Sequence, residues 1–155
     1  MQLYLVQHGE AKSKEEDPDR SLTDNGRADV ERVARTVATH DAAGPARIIH
    51  SGKLRAQQTA EIIAAHLRPR EGVSQSDGLA PLDDPAVWLK RLSDEDHDIM
   101  LVGHLPHLDK LAAALLTGNS DVSVVSFQMG GIICLVRDDS GKWRVAWMIT
   151  PQTLK

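Results

Sequence analysis

Three short apolar runs constrain this chain more than any other feature. Each is too short for a helix, and each is followed at once by polar, chemically capable residues. They occupy residues 3–6, 48–49 and 99–102. Apolar segments of this length, bounded by polar residues, fit strands buried on both faces, as in a parallel sheet. Helical spacing fills the intervals. Thr23 or Asp24 can cap a helix running to about His40, with Val30, Val33, Ala34 and Val37 on one face. A second helix over 54–67 should bury Ala56, Ala60, Ile63 and Leu67. A shorter one is expected over 85–92. A fourth follows Pro106, a residue suited to a first helical turn, should bury Leu108, Leu111, Ala112 and Leu115, and stops at Gly118.

The C-terminal part changes character. Residues 132–136 and 143–149 flank Asp138-Asp139-Ser140-Gly141-Lys142, which reads as a hairpin. Strands and helices in alternation, followed by an antiparallel ending, specify an α/β fold. The expected architecture is a three-layer sandwich: a mostly parallel central sheet, helices on both faces and an antiparallel C-terminal hairpin. Residues 68–84, mixed in polarity and carrying Pro and Gly, read as a long surface loop. No repeat or linker divides the 155 residues, so one domain spanning 1–155 is expected. Aromatics make up only 3% of the chain, which leaves the packing to Leu, Ile, Val and Ala.

Several function classes fall away. The formal charge of −4 argues against nonspecific nucleic-acid binding, which requires a basic surface. The apolar start, Met1 to Val6, lacks the basic flank and small-residue cleavage site of a signal peptide. No run approaches the ~20 apolar residues of a membrane helix. A cytoplasmic protein without a membrane partner is expected. The lone cysteine, Cys134, permits neither an intrachain disulfide nor a cysteine zinc cluster, and its apolar neighbours mark it as a packing residue.

In open α/β sheets, ligands bind beyond the carboxyl ends of the strands. The three runs deliver Gln7-His8-Gly9-Glu10, then His50-Ser51-Gly52-Lys53-Leu54-Arg55, then Gly103-His104 to that edge. Arg20, in the loop before the first helix, could swing over it. Arginine offers phosphate oxygens a planar fork of donors, and neutral histidine offers a nucleophilic nitrogen. Any one of these residues alone would be ordinary: a hydrogen-bonded histidine, or an arginine in solvent. Their coincidence at three strand ends carries the functional reading. His8-x-Glu10 and His104-x-x-His107 have spacings that could chelate a metal, but the Pro-Cys-x-x-Cys partner of zinc deaminases is absent. No phosphate-binding P-loop and no dinucleotide fingerprint occur. No metal and no cofactor are therefore expected. His40, His50, His66, His97 and His107 read as surface or supporting residues.

Gln7-His8-Gly9-Glu10-Ala11 resembles the Arg-His-Gly-Glu-Ala signature of the histidine phosphatase superfamily, whose fold is phosphoglycerate mutase-like. Ser51-Gly52-Lys53-Leu54-Arg55-Ala56-Gln57-Gln58-Thr59 is similar to its second motif, and Val102-Gly103-His104 to its third. Arg20-Ser21-Leu22-Thr23-Asp24-Asn25-Gly26 matches the Leu-Thr-x-x-Gly segment and the arginine before it. The C-terminal Thr150-Pro151-Gln152-Thr153-Leu154-Lys155 fits the small SixA-like branch, the protein phosphohistidine phosphatases. The resemblance implies that His8 is the nucleophile and carries a transient phosphohistidine. It also implies that Arg20, Arg55 and His104 clamp the phosphoryl oxygens, with Gly9 leaving room for close approach. Gln7 stands where the family has arginine. Its amide can donate a hydrogen bond but carries no charge. Losing one charged hydrogen bond in the transition state, worth about 1.5–3 kcal/mol, would slow the reaction about 10- to 150-fold.

The expected activity is therefore a phosphatase acting on a phosphorylated protein bearing phosphohistidine. The alternatives are a small-molecule phosphomonoesterase, or a weakened phosphate-binding relative. Imidazole is a good leaving group, its conjugate acid having a pKa near ~6.5, so a phosphohistidine needs little help from a general acid. Asp77, Asp83 and Asp84 are the acids in the segment where mutase-like relatives carry a proton donor.

Overall fold

The computed structural model describes residues 1–41 and 43–154. In chain order it contains β1 (Gln2–Gln7), α1 (Asp24–His40), β2 (Arg47–His50), α2 (Leu54–Leu67), β3 (Val73–Gln75) and α3 (Ala86–Ser93). These are followed by β4 (Ile99–Gly103), α4 (His107–Thr117), β5 (Ile132–Arg137), β6 (Trp143–Ile149) and a 3-10 turn at Pro151–Leu154. The strands form one sheet in the order β3-β2-β4-β1-β5-β6. β1, β4, β2 and β3 are parallel. β5 joins β1 antiparallel and β6 joins β5 antiparallel, with a register shift between Cys134 and Leu135.

Alternation along the strands builds two cores. Leu3, Leu5 and Leu101 face α3 and α4, where they meet Trp88, Leu92, Leu108, Leu111 and Ala112. Tyr4, Val6, Met100 and Val102 face α1 and α2, where they meet Val30, Val33, Val37, Ala60 and Ile63. β1 and β4 lie inside the sheet and are buried on both faces, which explains their unbroken apolar runs. Thr23 caps α1 by accepting the Gly26 N–H at 2.9 Å. Gly118 ends α4 at φ 80°, in the left-handed region.

Two expectations need correction. Leu67 and Leu115 are only partly buried, because each lies in the last turns of its helix and packs against the rim of its core. Residues 68–84 are more than a surface loop: β3 pairs parallel with β2, and Leu79 beyond it is fully buried. Val-Ser-Gln is too short for a period-2 pattern to show, and an edge strand needs only one apolar face. No helix among the described residues is long and apolar enough to cross a membrane.

Candidate active site

The parallel strands β1, β2 and β4 end at one edge of the sheet, and the residues just beyond them meet there. His8 follows β1 directly. Its main-chain N–H donates to Gly103 O at the end of β4, 3.1 Å away. His104 follows β4, and the two imidazole rings lie 5.0 Å apart between centroids, tilted by 52°. Both residues are buried, at 8% and 1% exposed. His8 Nδ1 lies 2.7 Å from Gly9 O, a carbonyl that can only accept, so Nδ1 carries the proton. Nε2 is thereby left with its lone pair.

The loop after β1 has no room for a larger residue at Gly9. A Cβ there would lie 2.8 Å from Val30 Cγ2 and 3.2 Å from Gly26 O. α2 holds the loop in place. The Gly9 N–H donates to Thr59 Oγ1 at 3.0 Å, and Thr59 donates in turn to Arg55 O at 2.7 Å. The Leu22 N–H donates to Gln58 Oε1 at 2.8 Å. Gln58 and Thr59 thus fix the loop that carries His8 and the loop that carries Arg20 to the helix that carries Arg55. In the sequence both residues stand out only as members of the second motif, without a role of their own.

Arg20 adopts φ 52°, a left-handed conformation disfavoured for any residue with a Cβ. Asp17 stabilises the turn that imposes it. Its carboxylate accepts from the Asp19 N–H (3.0 Å), the Ser21 N–H (3.1 Å) and Ser21 Oγ (2.5 Å), while Asp17 O accepts from the Arg20 N–H. Arg20 Nε then donates to Lys12 O at 3.0 Å. His104 Nε2 pairs with Ser51 Oγ at 2.7 Å, and His50 Nδ1 accepts the Gly52 N–H at 3.0 Å. The short turn after β2 is therefore built around the two histidines it touches.

The electrostatics keep the rings neutral. Burial, with Arg55 and Arg20 nearby, pushes the His8 pKa down to about 4, against an opposing hydrogen bond to Gly9 O. Burial, helped by His8, Arg55 and Lys53, pushes His104 down to about 3. Burial and the neighbouring Arg20 also lower the Arg55 pKa. Several polar atoms here are buried without a hydrogen-bond partner among the described residues: Gln7 Oε1, Arg55 Nε, His104 Nδ1 and both ring nitrogens of His107. Such groups are uncommon in a folded protein unless a ligand or water completes them.

The structure thus brings His8, Gly9, Arg20, Arg55 and His104 together. Gln7 ends β1, on the face that Leu3 and Leu5 turn toward α4. Its carbonyl accepts the Gly130 N–H at 2.9 Å. Of the histidines expected at the surface or in support, His107 is fully buried in the first turn of α4. His50 is buried as well, whereas His40 and His97 are exposed. No group of three or more metal-ligating side chains occurs among the described residues. The arrangement pairs a neutral nucleophilic nitrogen with fixed cationic donors, as in-line attack on a phosphoryl group requires.

A family model described as histidine phosphatase superfamily (branch 1) matches residues 3–83. An uncharacterized protein of Picosynechococcus sp. (strain ATCC 27264 / PCC 7002 / PR-6) is 38% identical over 128 residues, covering 77% of this chain and 76% of its own. Among solved structures, the protein histidine phosphatase SixA complexed with tungstate superposes with a TM-score of 0.86 at 27% identity over 100% of both chains. A phosphoserine phosphatase mutant from Entamoeba histolytica, in complex with phosphoserine, shares the fold with a TM-score of 0.70 at 18% identity over 99% of each chain.

Proposed function

The chain belongs to the histidine phosphatase superfamily and is a histidine-based hydrolase, and from that premise we propose that it removes the phosphoryl group of phosphohistidine from a protein through a covalent intermediate on His8. His8 Nε2 attacks phosphorus as the bond from phosphorus to the substrate nitrogen breaks. Arg20, Arg55 and His104 hold the equatorial oxygens, where charge concentrates in the transition state. Gly9 O keeps the Nδ1 proton of His8 and supports the positive charge that the phosphorylated ring acquires. Water then attacks the phosphohistidine, inorganic phosphate leaves, and Nε2 regains its lone pair.

One observation carries the choice of substrate: the acids of the segment where mutase-like relatives carry a proton donor are already engaged. Asp83 accepts the Ala80 N–H and Asp84 the Ala86 N–H, both at 2.9 Å. Asp77 pairs with Arg91 at 2.8 Å. Expelling an alkoxide calls for a general acid. Expelling imidazole calls for little or none, since its conjugate acid has a pKa near ~6.5.

Phosphate release from a phosphohistidine protein, phosphoserine and sugar phosphates, measured side by side with His8→Ala as control, tests this reading. The phosphohistidine protein should be turned over fastest, and acid-labile phosphate should appear on His8. A folded His8→Ala variant with full activity would overturn the nucleophile. A clear preference for sugar phosphates would overturn the substrate.

A further inference from the structure

Beside the phosphoryl site lies an open cleft of about 450 Å³, walled by Lys14, Asp19, Arg20, Lys53 and Arg55. His8 and His104 do not line it, so the two arginines form the wall it shares with the site floor. The cleft presents four cations against the single carboxylate of Asp19. A phosphoryl dianion held between Arg20 and Arg55 uses two of those charges. Lys14 and Lys53 remain, both exposed, and neither forms an ion pair among the described residues. On a chain whose formal charge is −4, such a concentration of unpaired positive charge is a local feature of this edge. Lys53 is also fixed in place. It is the residue that leads into α2, and its N–H donates to Ser51 Oγ at 3.3 Å, the hydroxyl that pairs with His104.

The geometry points to a second anion subsite formed by Lys14 and Lys53, which takes a further carboxylate or phosphate carried by the same substrate. This deepens the proposed activity and rests on it for the placement of the first phosphoryl group. An ammonium on a flexible stem suits a point contact to an anion whose position varies between substrates, whereas the arginine forks suit the fixed phosphoryl oxygens. The class of substrate is therefore one with a second negative group a short reach from the scissile bond. It could be an acidic side chain flanking a phosphohistidine, or a second phosphate or carboxylate on a small molecule.

Calorimetric binding of inorganic phosphate and of pyrophosphate, which needs no turnover, tests the subsite apart from the activity. The natural chain should bind pyrophosphate about tenfold or more tightly than phosphate. Lys14→Gln/Lys53→Gln should bring the two within about threefold. Lys142→Gln removes the same charge from the hairpin turn at the opposite end of the sheet and should leave the ratio intact. A second arm compares phosphohistidine peptides flanked by glutamate or by glutamine. A glutamate preference that disappears in the double variant assigns the group to a protein substrate. Equal turnover of the peptides, with the pyrophosphate preference intact, assigns it to a small molecule. The subsite is overturned if the double variant discriminates as the natural chain does, or if the natural chain does not discriminate at all. Failure of the peptides to turn over, with a lysine-dependent pyrophosphate preference, would sink the phosphohistidine reading and leave the subsite standing.

Discussion

The two ends of the central sheet are built from the same strands but treat their polar groups in opposite ways. At the end where β1 begins, polar groups are paired. The Tyr4 hydroxyl lies against Asp41 and 2.7 Å from Gln2 Oε1, and the Gln2 N–H donates to Asp98 Oδ1 at 2.6 Å. Arg47 bridges Glu95 and Glu71, while Arg137 donates to the carbonyls of Leu92 and Glu95 at 2.8 and 2.7 Å. At the end where β1 stops, Arg55 Nε, His104 Nδ1, Gln7 Oε1 and both nitrogens of His107 are buried without partners among the described residues. Leaving a buried donor unsatisfied costs about 1–3 kcal/mol. The first end commits its polar groups to the fold, whereas the second leaves these atoms over beside the paired groups, such as Thr59, Gln58 and Ser51, that position its loops.

The sharpest way to break this contrast is Arg55→Ala. The side chain contributes buried donor capacity that the fold leaves unused, so removing it should slow turnover about 10²- to 10³-fold, the scale of losing one preorganised donor to developing negative charge. The melting temperature should hardly fall. A steady-state assay paired with thermal unfolding separates the two; a variant that loses stability but keeps its rate would make Arg55 a structural residue.

Protonation offers the next test. The His8 ring resists its proton until about pH 4, because burial disfavours the cation and Arg55 and Arg20 repel it. An NMR titration of the ligand-free protein should find this ring neutral at pH 5.5, where about nine tenths of free imidazole rings are charged. The sign for stability follows. The unfolded chain takes this proton near 6.5, so the contribution is complete above that pH and is lost as pH falls toward about 4. A ring titrating near its ordinary value would show that the pocket is wetter than its geometry implies.

Gln7→Arg asks whether the cationic set of the site is incomplete. Gln7 leaves an oxygen buried without a partner among the described residues, where the family signature carries a cation. An arginine there would add a charged fork, with an expected gain of about tenfold in rate. Gln7→Ala distinguishes an unused position from one whose amide already contributes. Equal rates in all three chains would mean that position 7 does not meet the transition state.

Legibility in the sequence follows the same division between the two ends. His8, Arg55 and His104 can be read because each stands within a few residues of an apolar run, and strand ends are where such sheets place their chemistry. Gln58 and Thr59 cannot be assigned a role that way. They act by bonding to the backbone of Leu22 and Gly9, and nothing in a helical pattern reveals which distant N–H a side chain will meet. Whether His107 is a surface or a supporting residue is settled only by the start of α4, which turns it inward. The pairing at the far end is equally hidden, because it joins positions dozens of residues apart: Tyr4 with Asp41, Arg47 with Glu95. Layers and element order come from local periodicity, whereas networks depend on tertiary approach.

The smallest effect is expected at that far end. Arg47→Gln removes the cation between Glu95 and Glu71, and Arg47 and Glu95 are both partly sheltered, at 31% and 14% side-chain exposure. Partly exposed pairs contribute about 1 kcal/mol or less, so the melting temperature should fall by only a few degrees. The rate should not change. A pH series adds a sign. Burial raises the Glu95 pKa, but the His97 N–H and Arg47 outweigh it and hold the carboxyl below its usual range. Its contribution is therefore present at neutral pH and lost as pH falls through the lowered value. Arg47→Gln and the natural chain should accordingly differ most near neutrality and converge in acid. If Arg47→Gln instead slowed turnover as much as it destabilised the fold, the two ends of the sheet would be coupled, and the separation between structural and ligand-directed polar groups would not hold.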